Sequence, residues 1–132
     1  MARILISEDD ESVLKVTAKI LAKAGHKVST CTSGLEALRQ LGLEPADASV
    51  ELPDLIILDI MMPKMDGYAV GTVIRSVGRT RAIPILVVSA LREMSPLFTA
   101  TVQVNGFLTK PFSPEDLLTE VAKILGQRRA VD

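Results

Sequence analysis

Five polar residues with potential chemistry lie at the ends of short apolar runs, each of which we expect to be a β-strand. They are Glu8, Asp9, Asp59, Ser89 and Lys110. Because ligands bind outside the carboxyl ends of the strands in an open parallel sheet, we expect these side chains to lie together at one sheet edge. Carboxylates crowded there repel one another, and desolvation raises the cost unless a cation compensates. The pattern therefore predicts a cation site beside a carboxylate.

The expected cation is a hard divalent ion. All-oxygen ligands with no cysteine or histidine nearby favour Mg²⁺, with Mn²⁺ as the alternative. Lys110 adds a second positive charge, and Ser89 could donate a hydrogen bond. A carboxylate beside Mg²⁺ and a lysine is well placed to attack phosphorus, because the incoming oxygens need their charge neutralised. Taken alone, an aspartate after a strand more often caps a turn, so the interpretation rests on the whole set.

Short apolar runs rich in β-branched residues predict five strands of a parallel sheet covered on both faces. The second run alternates more than the others and suits a position nearer the sheet edge. The predicted strands are Arg3–Ser7, Lys27–Cys31, Leu55–Leu58, Ile85–Val88 and Phe107–Thr109.

Apolar stripes at helical spacing alternate with the strands and predict helices on both faces of the sheet. The first stripe includes Val16, and the second includes Leu35. The last helix is expected to end at Gly126. Polar residues before the helices are interpreted as N-terminal caps. These caps are Asp10, Ser33, Asp66 and Ser113.

Two segments do not fit a regular alternation. Residues 42–54 are long for a helix-to-strand connection, and we expect an exposed loop there. Residues 92–106 contain Pro96 and many β-branched residues, which predicts a short or irregular fourth helix. Its apolar residues either belong to the core or form a docking surface. They are Met94, Leu97, Phe98 and Val102.

Composition favours one globular domain over residues 1–132, with a core of about residues 2–126 and no output domain. The formal net charge of -1 leaves no basic excess for direct nucleic-acid binding. No apolar run reaches membrane-spanning length, and the short apolar start is unlike a signal peptide. The single cysteine, Cys31, predicts a small buried thiol rather than a disulfide. We therefore expect a cytoplasmic protein without membrane insertion, either a monomer or a weak dimer.

Four motifs in order resemble the receiver domain of two-component response regulators, in the CheY-like superfamily, over essentially the full length. They are ILISEDD, PDLIILDIMMPKMDG, PILVVSA and GFLTKPF. The resemblance implies an α/β, flavodoxin-like, three-layer (βα)5 sandwich with a five-stranded parallel sheet of order 2-1-3-4-5. It also implies a phosphoprotein of a two-component or phosphorelay pathway.

The resemblance also implies a role for each acidic residue. Asp59 would accept a phosphoryl group from a sensor histidine kinase or a histidine phosphotransfer protein. Asp9 and Asp59 would bind Mg²⁺ directly, and Glu8 would act through water. The backbone carbonyl of Met61 would complete the protein's share of the metal shell.

Three further residues take roles from the resemblance. Lys110 would pair with the phosphoryl oxygens, and its peptide bond to Pro111 would be cis. Ser89 and Phe107 would be the hydroxyl and aromatic switch residues, which respond to phosphorylation and change the interaction with a downstream effector protein. Such a receiver is no conventional enzyme, although it catalyses its own phosphorylation and dephosphorylation.

Two other functions fit parts of the sequence. A receiver-like scaffold would bind partners without phosphorylation, but the full set of polar site residues argues against it. A Mg²⁺-dependent phosphatase of the haloacid dehalogenase type also uses an aspartate nucleophile after a strand. That family has another aspartate two residues later, where this chain has Met61.

Overall fold

The computed structural model describes residues 2–60, 65–90 and 102–131, with side chains described as far as residue 126. These residues form five strands and four helices. The strands are β1 (Arg3–Ser7), β2 (Lys27–Cys31), β3 (Leu55–Asp59), β4 (Ile85–Ser89) and β5 (Gly106–Thr109). The helices are α1 (Glu11–Lys23), α2 (Gly34–Gln40), α3 (Gly67–Ser76) and α4 (Pro114–Val131).

The strands form one parallel sheet in the order β2-β1-β3-β4-β5. The predicted flavodoxin-like order 2-1-3-4-5 is therefore confirmed, and β2 is an edge strand as expected. Alternate residues of the central strands pack into separate cores on the two faces. Ile57 belongs to the core with α1 and α4, whereas Leu58 belongs to the core with α2 and α3. Burial on both faces explains why these strands are nearly continuous apolar runs.

The predicted apolar stripes of α1 and α2 each include one residue that is not buried. Val16 is 56% exposed and Leu35 is 46% exposed, so both face away from the core. The buried residues of α1 are Leu14, Thr17 and Leu21, which follow the spacing i, i+3, i+7 of one helix face. Val16 lies outside that face, and this geometry overrides its apolar character.

The predicted end of the last helix at Gly126 was wrong, because α4 continues to Val131. Gly126 is exposed, and a Cβ there would meet nothing within 4 Å. Without a turn that needs a glycine, its cost in a helix is only about 1 kcal/mol relative to alanine. The residues after it include glutamine, arginine and alanine, which favour helix.

The predicted helix caps are confirmed. Asp10 accepts hydrogen bonds from the backbone N–H groups of Ser12 and Val13, at 2.9 and 3.2 Å. The other three caps each accept a backbone N–H three residues later, and each begins a helix. They are Ser33 for α2, Asp66 for α3 and Ser113 for α4. Asp10 and Asp66 are therefore structural residues.

The two irregular segments have different outcomes. Residues 42–54 contain no helix or named strand and are mostly exposed, as predicted for a loop. The predicted fourth helix falls mainly on residues 91–101, outside the described residues, as do Met94, Leu97 and Phe98. Val102 is described and fully buried, which places it in the core. None of the helices among the described residues is long and apolar enough to cross a membrane.

Candidate functional site

Three carboxylates meet at the carboxyl edge of the sheet. Glu8 and Asp9 follow β1, and Asp59 is the last residue of β3. One carboxylate oxygen from each lies within 4.8 Å of the others. Glu8 and Asp59 are each only 3% exposed, whereas Asp9 is open to solvent. The parallel pairing of β1 with β3 thus creates the acidic cluster expected from the sequence.

Lys110 supplies the positive charge from the residue after β5. Its Nζ lies 2.6 Å from Glu8 Oε1 and 3.1 Å from Asp59 Oδ2. Its backbone N–H donates to the carbonyl of Ser89 at 2.8 Å, which joins the ends of β4 and β5. The peptide bond between Lys110 and Pro111 is cis.

Burial and mutual contact shift the charges of this cluster. Burial, together with a hydrogen bond shared with Asp59, raises the pKa of Glu8 to about 7, although Lys110 opposes the shift. Burial would lower the pKa of Lys110, but its contacts with Glu8 and Asp59 outweigh that effect and raise it. The lysine therefore stays charged at neutral pH, and this one cation serves a cluster of three carboxyl groups.

Of the remaining predicted site residues, Ser89 and Phe107 are described, and only Ser89 lies at this edge. Ser89 is the fully buried last residue of β4, and it follows Val88, which pairs with Asp59 of the neighbouring strand. Phe107 lies in β5, half-buried, and packs against the core that includes α3. Met61, whose backbone carbonyl was predicted as a metal ligand, lies outside the described residues.

The direct contact between Glu8 and Lys110 was not expected from the sequence. Glu8 forms the shorter of the two ion pairs of Lys110, and its predicted action on a metal through water stays a prediction. The backbone N–H of Glu8 donates to the carbonyl of Cys31 at 3.0 Å, and this bond fixes the start of the loop after β1. Glu8 and Lys110 are far apart in the chain, and the order of the strands alone does not specify which side chains form ion pairs.

The cluster suits a hard divalent cation. Its donors are carboxylate oxygens on two adjacent strands, and the exposed Asp9 leaves one side open to water. This combination fits Mg²⁺, which binds through few carboxylates and keeps several waters. When bound, Mg²⁺ would supply positive charge for incoming phosphoryl oxygens. Glu8, Asp9 and Asp59 are the described residues that would hold it.

We expect Asp9→Asn to weaken Mg²⁺ binding by about tenfold or more, because one of the three cluster carboxylates loses its charge. Asp10→Asn is the matched control. It changes the neighbouring residue in the same way, and asparagine caps a helix as well as aspartate does. Calorimetric titration with Mg²⁺ measures both. Equal Mg²⁺ affinities in the two variants would show that Asp9 is not a metal ligand.

Gly67, the first residue of α3, packs closely against the backbone of Asp59 and Ile60. Its N–H donates to the carbonyl of Ile60 at 2.9 Å, and an added Cβ would lie 2.6 Å from the backbone oxygen of Asp59. We expect Gly67→Ala to lower the free energy of unfolding by about 1–3 kcal/mol, because backbone must move. Gly78→Ala, where a Cβ meets nothing within 4 Å, should change it by about 0.5 kcal/mol at most. Urea unfolding followed by circular dichroism tests the pair, and equal losses would contradict this reason.

Known proteins are similar to this chain in sequence and in fold. The family model for the response regulator receiver domain matches residues 4–122. The Bacillus subtilis alkaline phosphatase synthesis transcriptional regulatory protein PhoP is 34% identical over 124 residues, which are 93% of this chain and 48% of PhoP. The chain thus spans about half the length of that curated relative.

Two solved structures are close in shape. The Vibrio cholerae chemotaxis response regulator CheY4 superposes with a TM-score of 0.81 at 31% identity, covering 94% of this chain and 98% of that one. The receiver domain of the sensor histidine kinase PA1611 from Pseudomonas aeruginosa gives 0.78 at 25% identity, covering 95% and 98%. The latter structure has a magnesium ion coordinated in its active-site cleft.

Proposed function

Because the chain belongs to the response regulator receiver domain family, we propose that it accepts a phosphoryl group on Asp59. The donor would be a phosphohistidine of a sensor histidine kinase or of a histidine phosphotransfer protein. One observation carries the proposal: Asp59 is a buried carboxylate held 3.1 Å from Lys110, inside a cluster suited to Mg²⁺. A buried aspartate with only a structural role would need one cationic partner, which Lys110 supplies, and would gain nothing from two further carboxylates beside it.

The transfer requires one bond to form and one to break. An oxygen of the Asp59 carboxylate forms the new bond to phosphorus. The bond between phosphorus and the donor imidazole nitrogen breaks, and that nitrogen keeps the electron pair. Lys110 lies where it can neutralise oxygens of the transferred group, and such charge neutralisation is the main requirement of phosphoryl transfer. No general base is needed, because Asp59 attacks in its ionised form.

The chain is a receiver rather than a conventional enzyme, and its own phosphorylation and dephosphorylation are part of the proposal. A bound phosphoryl group would carry a charge of about -1.5 to -2. That charge would reorganise hydrogen bonding near Ser89 and packing near Phe107, the proposed switch residues. The resulting surface would change the affinity for a downstream effector protein.

Several sequence predictions about the whole protein stay predictions. They include the single domain over residues 1–132, the cytoplasmic location, and the monomeric or weakly dimeric state. PhoP is a transcriptional regulator about twice as long as the matched region, so its output does not transfer to this chain.

Acetyl phosphate supplies a direct test without a partner protein. Incubation of the chain with acetyl phosphate and Mg²⁺ should produce a covalent adduct that hydroxylamine removes, as expected for an acyl phosphate. Peptide mapping of the trapped adduct should locate it at Asp59. An adduct on serine, histidine or lysine, or none in the presence of Mg²⁺, would overturn the proposal.

A further inference from the structure

Arg75, a half-buried residue near the end of α3, donates hydrogen bonds to the protein from every nitrogen of its guanidinium group. Nε donates to the carbonyl of Val102 at 2.6 Å. The two terminal nitrogens donate to four further oxygens at 2.6–3.2 Å. These are the carbonyls of Arg81, Ile83 and Gln103 and the side-chain oxygen of Asn105. A guanidinium has five N–H donors, so every donor is matched by one acceptor.

All five acceptors are neutral oxygens, so none of them balances the charge of the guanidinium. The salt bridges formed among the described residues do not include Arg75. Burial lowers the pKa of Arg75, yet an arginine stays charged in proteins. Because Arg75 bonds to carbonyl oxygens and to no described carboxylate, we infer that these contacts serve to fix the positions of the segments that carry the acceptors. The acceptors belong to the connection before β4 and to the segment before β5.

The same face of α3 also fits the side chain of Val102. Gly71 lies one helical turn before Arg75, and a Cβ at Gly71 would be only 2.7 Å from Val102 Cγ1. Val102 is fully buried at this contact. The next residue, Gln103, has a φ of 58°, a conformation that non-glycine residues rarely adopt without support from their surroundings. Together these contacts fix residues 102–105 on α3, and we call this arrangement the α3 clamp.

The α3 clamp holds the start of a weak strand. β5 has four residues, pairs only with β4, and has no fully buried residue. Asn105 fixes the start of β5 with two hydrogen bonds to Ile85. The N–H of Asn105 donates to the carbonyl of Ile85 at 2.8 Å, and the side-chain oxygen of Asn105 accepts from the N–H of Ile85 at 2.9 Å. The other end of β5 delivers Lys110 to the acidic cluster. A short edge strand needs an anchor at its start if the residue after its end is to be placed accurately.

We propose that Arg75 is a positioning residue for Lys110, acting through residues 102–105 and β5. This inference rests on the proposed function, because it assigns Arg75 to the phosphoryl transfer in which Lys110 takes part. It concerns only the lysine side of the site. Glu8 and Asp9 follow β1 and Asp59 ends β3, and the five acceptors of Arg75 all lie outside these two strands.

The test compares the rate of phosphorylation by acetyl phosphate with the affinity for Mg²⁺. Arg75→Met should slow phosphorylation by about tenfold or more, since small displacements of a group in the reaction have effects of this size. Its Mg²⁺ affinity, measured by calorimetry, should not fall. Arg79→Met is the matched control, because Arg79 donates to the Gly42 carbonyl, far from β5 in the chain. That variant should keep the normal rate.

A double variant separates positioning from general damage. If Arg75 acts through Lys110, Arg75→Met combined with Lys110→Met should be no slower than Lys110→Met alone. A merely structural role would weaken Mg²⁺ binding as well, and its effect on the rate would multiply with that of Lys110→Met. Either of those results would overturn the inference.

Asn105→Ala is a milder variant that decides the question if Arg75→Met does not fold. It removes one acceptor of Arg75 and the partner of the Ile85 N–H, and it should slow phosphorylation without weakening Mg²⁺ binding. A normal rate in this variant would overturn the inference. If Lys110→Met is slow and Arg75→Met is normal, only the inference fails. If Asp59→Asn is still phosphorylated, the proposed function itself fails.

Discussion

An Asp59→Asn variant is expected to form no acyl phosphate with acetyl phosphate and Mg²⁺, and none with a phosphohistidine donor. The amide cannot act as the anionic nucleophile, so the reaction loses the group that attacks phosphorus. The fold should persist, because asparagine has nearly the same shape and Lys110 keeps its 2.6 Å contact with Glu8. Intact-protein mass spectrometry gives the extent of phosphorylation. Circular dichroism during urea unfolding gives the stability.

Asp54→Asn is the matched control for this experiment. Asp54 precedes the same strand at its opposite end, where its side chain accepts a hydrogen bond from the N–H of Arg3. The substitution removes the same charge from β3 without touching the acidic cluster, and phosphorylation should proceed at the normal rate. Comparable labelling of the Asp59→Asn variant would mean that the nucleophile is another residue. Loss of labelling in both variants would point to damage of β3 as a whole.

The sheet was predictable because its physical signals are local. Central strands covered on both faces need continuous apolar runs, and β1 and β2 have the bounds that the sequence indicated. The parallel order then places Glu8 and Asp59 at one edge without further information. Even so, Asp59 and Ser89 are the last strand residues rather than the first loop residues. A one-residue difference of this kind lies within the usual uncertainty of strand ends.

Details that depend on contacts between distant elements could not be read from the sequence. A glycine inside a helix normally weakens it, whereas Gly71 makes room for the side chain of Val102. Arg75 resembles any charged residue near a helix end, yet its five acceptors come from segments up to 30 residues away in the chain. Such pairings are fixed by tertiary packing and leave no periodic signal. The contact between Glu8 and Lys110 belongs to the same class.

Removal of the charge of Lys110 should destabilise the folded protein, because the carboxylates of the site then lack a cationic partner. We expect Lys110→Met to lower the free energy of unfolding by about 3 kcal/mol at pH 8, because two buried carboxylates lose their shared cation. The loss should be smaller at pH 5, by about 1 kcal/mol or more. Phosphorylation by acetyl phosphate should fall by about a hundredfold or more in the same variant.

The pH dependence follows from the shifted pKa of Glu8. Its value of about 7 in the folded protein lies above the ordinary 4.5, so between these two values the folded state binds more protons than the unfolded state. Stability contributed by Glu8 therefore declines as the pH rises through this range. The pKa of Lys110 is raised, so the lysine is charged at both test conditions. At pH 5 Glu8 is mostly neutral, so the Lys110→Met variant then leaves one buried charge fewer without a cation.

Magnesium should reverse part of this loss, which ties the stability of the site to its function. Lys110 occupies the same carboxylates that would hold Mg²⁺, so its removal should strengthen Mg²⁺ binding and make the metal more stabilising at pH 8. Lys123→Met is the control, since Lys123 makes an exposed contact of 4.0 Å with Glu120. Urea unfolding at both pH values, with and without Mg²⁺, distinguishes the variants. A Lys110→Met loss independent of pH, or weaker Mg²⁺ binding, would show that the lysine does not offset the charge of the acidic cluster.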